Sequence, residues 1–153
     1  MDRVRLGRMA LTLESLADTE QLARTLLAHL PPGVLLVLVG PLGAGKTTLV
    51  QALALALGSG AQVSSPTYTL VHEYPTPAGV LVHIDAYRLG DAGTGADALF
   101  ELGLDDYLER ARLTAVEWGE GLLRTLPDAL VVRLSLEGGV RRAAVSRGGR
   151  ELA

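Results

Sequence analysis

The stretch VGPLGAGKTTLV, residues 39–50, carries a spacing suited to phosphate: Gly40, four residues, then Gly45, Lys46 and Thr47. Gly43 and Gly45 have no Cβ, so the backbone around them can turn its N–H groups inward onto anionic oxygens. Lys46 brings a compact positive charge to the β and γ phosphates of a nucleotide. The Thr47 hydroxyl can complete the oxygen shell of Mg²⁺. A helix that starts here adds the positive end of its dipole.

A nucleotide hydrolase also needs a carboxylate near the metal and a group that positions the attacking water. Asp85 closes the apolar run LVHI and Glu117 closes LTAV, so both are expected at strand ends, where ligands sit in open α/β sheets. A lone acid after a strand is commonly a helix cap or a turn residue. Two of them beside a phosphate loop favour metal chemistry. His83 lies two residues before Asp85, on the same strand face, and reads as a structural histidine. Trp118, the only tryptophan, should point to the opposite face from Glu117 and serve core packing or a partner contact. Thr67, within SPTYT, lies on a polar segment after the loop helix, where a switch could sense the γ phosphate; a polar strand edge is the other reading.

The elements that must position these residues follow from periodicity. Residues 34–39 read VLLVLV, a short buried strand, and residues 47–57 are apolar almost all round, as a buried helix would be, with Gly58 as its stop. Before them, residues 10–13 suggest a strand, and Asp18 with Gln21 suggests a capping box ahead of Leu22, Leu26, Leu27 and Leu30 on one helix face. After them come a strand over 80–84, joined in a hairpin to the segment before a turn at 75–79, and a short helical stretch ending near Arg112. LTAVEW is a second buried strand, 119–125 a short helix, and ALVVRLSLEGGVRRAAVS a terminal hairpin turning at 137–139. Helical crossovers together with hairpins give an α/β class with a mixed β-sheet flanked by helices, in a single phosphate-loop (P-loop) NTPase-like domain over residues 1–153.

Composition agrees. Of the 14 Lys plus Arg one alone is Lys, at position 46, and Asn is absent. In a chain that has exchanged every other lysine for arginine, chemistry explains the one that stays. With 153 residues and 48% hydrophobic content, one compact domain can bury roughly 70% of its unfolded surface. The lack of Cys excludes disulfides and thiolate metal sites, and no apolar run reaches the length of about 20 residues that spans a membrane. The opening residues MDRVRLGRMALTLES lack an apolar signal core, which makes the cytoplasm the expected location. A formal net charge of −3 argues against a free-standing nucleic-acid binder. The charge is uneven, acidic over 97–120 and basic near Arg133, Arg141, Arg142, Arg147 and Arg150. That cluster suits a solvated edge or a docking surface for an acidic partner or RNA.

GPLGAGKTT, SPTYTLVHEY, HIDAYRL, ELGLDDYL and VEW, in this order and spacing, resemble the bacterial TsaE family, formerly YjeE, over nearly the whole chain. The resemblance implies an ATPase that works with TsaB and TsaD to form threonylcarbamoyladenosine beside the anticodon of tRNA. It implies that residues from Leu42 through Gly43, Ala44, Gly45, Lys46 and Thr47 to Thr48 hold the ATP phosphates. Mg²⁺ would sit on Thr47 and Glu117, with Asp85 near the metal and water. Thr67 falls on the family's switch-like segment, and Arg141 of the last hairpin best matches an arginine that approaches the nucleotide. Pro41 stands where the family commonly has Asp, and Gly119 where Pro often follows the Glu-Trp pair. Neither departure removes a group needed for hydrolysis.

Rival classes leave different marks. A small-molecule kinase shares the loop, but its arginine-bearing lid has no counterpart between Leu89 and Glu109, where no Arg occurs. A GTPase reading guanine through Asn-Lys-x-Asp would need residues this chain lacks, so adenine is favoured by elimination. A nucleotide-binding scaffold without hydrolysis needs only the loop. Slow hydrolysis alone, accelerated by partners, is the expectation, since no arginine finger is evident in the sequence.

Overall fold

The computed structural model describes residues 9–41, 43–59, 71–86, 99–118, 120–123, 126 and 128–147. Its backbone is one seven-stranded sheet, ordered β1-β7-β6-β2-β5-β4-β3. The strands are β1 (Met9–Leu13), β2 (Val34–Val39), β3 (Val71–Thr76), β4 (Gly79–Asp85), β5 (Leu113–Glu117), β6 (Leu130–Glu137) and β7 (Val140–Arg147). The inner strands β6, β2, β5 and β4 are parallel, while β7 runs against β6, β1 against β7, and β3 against β4. This is the mixed sheet that crossovers plus hairpins predict. β5 is buried along its whole length and β2 at its four inner positions, as parallel strands covered on both faces must be.

Helices α1 (Leu16–His29) and α2 (Lys46–Ala56) pack on one face. Leu22, Leu26, Leu49 and Leu53, each at most 1% exposed, meet Leu36, Leu38, Leu113 and Ala115 there. Full burial of each leucine contributes about 1.5–3 kcal/mol, so this layer fixes where α2 lies. The opposite face carries Leu35, Val37, Val82, Ile84 and Val116 against Leu104 of helix α3 (Leu104–Arg110) and Leu122 of a 3₁₀ turn (Glu120–Leu123). Arg110 ties α3 to the edge strand β3 through Glu73 at 2.8 Å and pairs with Asp106 one turn back in its own helix at 2.8 Å; the two carboxylates, Glu73 foremost, raise its pKa.

α1 starts earlier than the Asp18–Gln21 pair suggests. Ser15 is the cap: its Oγ accepts from Asp18 N at 3.4 Å, while Asp18 Oδ2 accepts from Glu14 N at 2.8 Å. Asp18 thus takes the third-residue role of a capping box rather than the first. Among the described residues no helix is long and apolar enough to cross a membrane.

At the end of β2 the chain turns sharply. Gly40 has φ 155, and a Cβ there would run into the Leu134 carbonyl oxygen of β6. Only glycine lets the loop leave β2 this close to its neighbour.

Candidate functional site

Three parallel strands deliver the acidic half of the site. Their register sets Leu38 of β2 beside Glu117 of β5, and Glu117 beside Asp85 of β4. Both carboxylates therefore stand at the carboxyl edge of the sheet, where β2 passes into the glycine loop. Alternation places Leu113, Ala115 and Glu117 on one face, and Leu81, His83 and Asp85 on the same one. That is the face on which α2 packs.

The basic half comes from the loop. Gly45 caps α2 with φ 108 and no side-chain bond to the first turn, so the leading N–H groups of the helix have no capping side chain from that residue. Lys46 follows and is buried, 5% exposed. Its Nζ donates to the Gly40 carbonyl at 2.6 Å and stands 3.5 Å from the centre of the Trp118 ring. The ammonium is thus curled over its own loop against an aromatic face.

Thr47 joins the two halves: its Oγ1 donates to Glu117 Oε2 at 3.4 Å. Glu117 is 4% exposed and His83 fully buried, and His83 Nε2 meets the same Oε2 at 2.6 Å. Asp85 is half-buried beside them. Gly43, Ala44 and Thr48 complete the loop and the first turn of α2. Two strands away from β2, β7 brings Arg141, whose Cα partners are Leu13 and Leu136. Its side chain reaches the loop: a Cβ placed on Gly45 would lie 3.9 Å from Arg141 Cδ.

Thr47, Glu117 and Asp85 offer oxygen donors, which suit a hard cation such as Mg²⁺. Octahedral bonds of about 2.0–2.1 Å put neighbouring ligand oxygens about 3 Å apart. The 3.4 Å between Thr47 Oγ1 and Glu117 Oε2 is close to that span. Among the described residues no three His, Cys, Asp or Glu side chains are grouped to hold a metal unaided. Mg²⁺ at this place would complete its shell with phosphate oxygens and water, as it commonly does.

Of the residues singled out from sequence, Lys46, Thr47, Asp85, Glu117 and Arg141 meet at one end of the sheet, together with the loop. Leu42 and Thr67 lie outside the described residues. Two contacts escape a reading by sequence. Trp118 packs against the opposite-face core, as alternation predicts, but it leaves β5 with φ 62, the only positive φ among described non-glycine residues, and its ring lies under Lys46. His83 is more than a packing residue, because its ring is bonded to Glu117. It is the structural histidine the sequence suggests, but its partner lies on the neighbouring strand, in a register that no local pattern gives.

Comparison with known proteins gives the family and the fold. Residues 13–144 match the family described as threonylcarbamoyl adenosine biosynthesis protein TsaE. The tRNA threonylcarbamoyladenosine biosynthesis protein TsaE of Aquifex aeolicus is 51% identical over 128 residues, 81% of this chain and 84% of that protein. The relatives of the same name from Bacillus subtilis and Haemophilus influenzae are 37% and 38% identical over 72% and 66% of this chain. The match spans 66% of the Bacillus protein's length and 61% of the Haemophilus protein's. The crystal structure of Bacillus subtilis YdiB superposes with a TM-score of 0.71 at 27% identity, covering 93% of this chain and 86% of that one. A family match over most of the chain, with relatives of that name up to 51% identical, means that this chain belongs to the TsaE family.

Proposed function

We propose that the chain binds ATP with Mg²⁺ at residues 40–48, hydrolyses the γ phosphate, and thereby serves the formation of threonylcarbamoyladenosine in tRNA, in the cytoplasm and together with TsaB and TsaD. The observation that supports this most is the convergence at the start of α2, where Thr47 faces Glu117 at 3.4 Å with Lys46 beside it. The relatives' names support the pathway.

In this reading Lys46 exchanges the Gly40 carbonyl for phosphate oxygens, since an ammonium–phosphate bond is charge-assisted on both sides. Thr47 and Glu117 would hold Mg²⁺, whose chemistry there is to neutralise charge on the β- and γ-phosphate oxygens. Asp85, next to Glu117 in register, would orient the attacking water. Arg141 reaches the loop but is exposed, so water screens its charge. A partner that covers this edge would order and dehydrate Arg141, which makes turnover slow in the free chain and faster in the complex.

Hydrolysis by Glu117→Ala tests the metal assignment. A first ligand should matter at least as much as a metal's outer-shell partners, so the rate should fall by about 10- to 100-fold or more, with ADP affinity in EDTA nearly unchanged. Retained hydrolysis would sink the assignment. Phosphate recovered on a small acceptor instead of in water would indicate a kinase. Intact support of the partners by both carboxylate variants would leave a non-hydrolysing scaffold.

A further inference from the structure

The structure assigns His83 as the residue that positions Glu117 for its ligand. The inference rests on the reading of Glu117 as a Mg²⁺ ligand and extends it to the group that aims that carboxylate. His83 is 0% exposed, on a strand face it shares with apolar Leu81 on one side and Asp85 on the other, opposite the methyl group of Ala115. Burying an imidazole there costs free energy unless its nitrogens are bonded, and an apolar residue of similar size would pack without that cost. Among the described residues Nδ1 has no partner, and the ring's bond is to Glu117 Oε2. With the ring proton on Nε2 the imidazole donates to the carboxylate and leaves only a lone pair buried at Nδ1.

Two distances decide what holds Glu117. The contact from Thr47 is 3.4 Å, too long to fix a side chain. That from His83 is 2.6 Å, as short as N–H···O hydrogen bonds become, and so the contact that holds the carboxylate. The register explains the reach: His83 lies opposite Ala115, not Glu117, so the imidazole extends forward past a methyl group to the next residue on that face. A glutamate has several free torsions, and holding it toward Thr47 in advance removes a cost that ligand binding would otherwise carry.

Crystal structures and metal titrations of His83→Leu, His83→Asn and His83→Gln test this. The Gln amide can reach where Nε2 reached, whereas Leu and the shorter Asn cannot. In His83→Leu or His83→Asn, Glu117 should swing away from Thr47. The Mn²⁺ concentration that half-saturates the protein–ADP complex, read by electron paramagnetic resonance, should rise about 10- to 100-fold, while ADP affinity in EDTA stays within about twofold. His83→Gln should restore much of the Mn²⁺ affinity, a rescue that a purely structural role would not predict. If His83→Leu does not fold, the Asn and Gln pair decides. Glu117 still facing Thr47 in the Leu or Asn variant, or unchanged Mn²⁺ affinity, would overturn the assignment. Should the wild-type chain bind no Mn²⁺ with ADP, the metal reading falls by itself, and the orientation of Glu117 in the variant crystals still decides whether His83 positions it.

Discussion

Lys46 is engaged before any phosphate arrives, among its contacts the Gly40 carbonyl at 2.6 Å and the face of Trp118 at 3.5 Å. A desolvated cation–π contact is worth about 2 kcal/mol, so the ammonium is kept in a defined place within a buried environment. Hydrogen bonds to charged groups contribute about 1.5–3 kcal/mol. Lys46→Ala should therefore weaken ADP binding roughly 10- to 100-fold by calorimetry, and a loss smaller than threefold would argue against phosphate contact. Trp118 supplies a second readout at this scale. As the only tryptophan, it should change its emission when ADP draws Lys46 from the ring, and the change should vanish in Lys46→Ala. Emission that is indifferent to saturating ADP would mean that the lysine stays where it is.

The unit β2, loop and α2 sets the geometry, and α2 is fixed by its apolar underside. Leu53 is fully buried between α1 and the sheet, so Leu53→Ala should cost about 2–5 kcal/mol in urea unfolding. An unchanged midpoint would mean that α2 is not anchored there. This unit was legible in the sequence because its signals are local: an apolar β-branched run, glycines at a fixed spacing, and Lys46 with Thr47 behind them. Asp85 and Glu117 were legible as strand ends by parity alone. The bond between His83 and Glu117 was not, since it depends on β4 pairing with β5 with His83 opposite Ala115, a register no local pattern encodes. Trp118 under Lys46 was hidden by a backbone turn to φ 62 that a bulky residue seldom adopts. The start of α1 is ambiguous in the sequence because Asp18 serves equally well as cap or third residue, and Ser15 decides between them.

Across the whole molecule, one end of the sheet gathers the phosphate loop, the carboxylates and the reach of Arg141. Arg141 comes from β7, which the chain completes last and which is clamped between β6 and β1. The hairpin is thus both part of the sheet and the exposed rim of the proposed site, the place where a partner would act on turnover. ATP hydrolysis by the purified chain, alone and with TsaB and TsaD, tests the proposed function most directly, with Lys46→Ala as the blank. The expected result is slow Mg²⁺-dependent release of phosphate by the free chain, strong stimulation by the two partners together, and neither in the variant. Fast turnover that ignores the partners, or turnover that survives in Lys46→Ala, would contradict it.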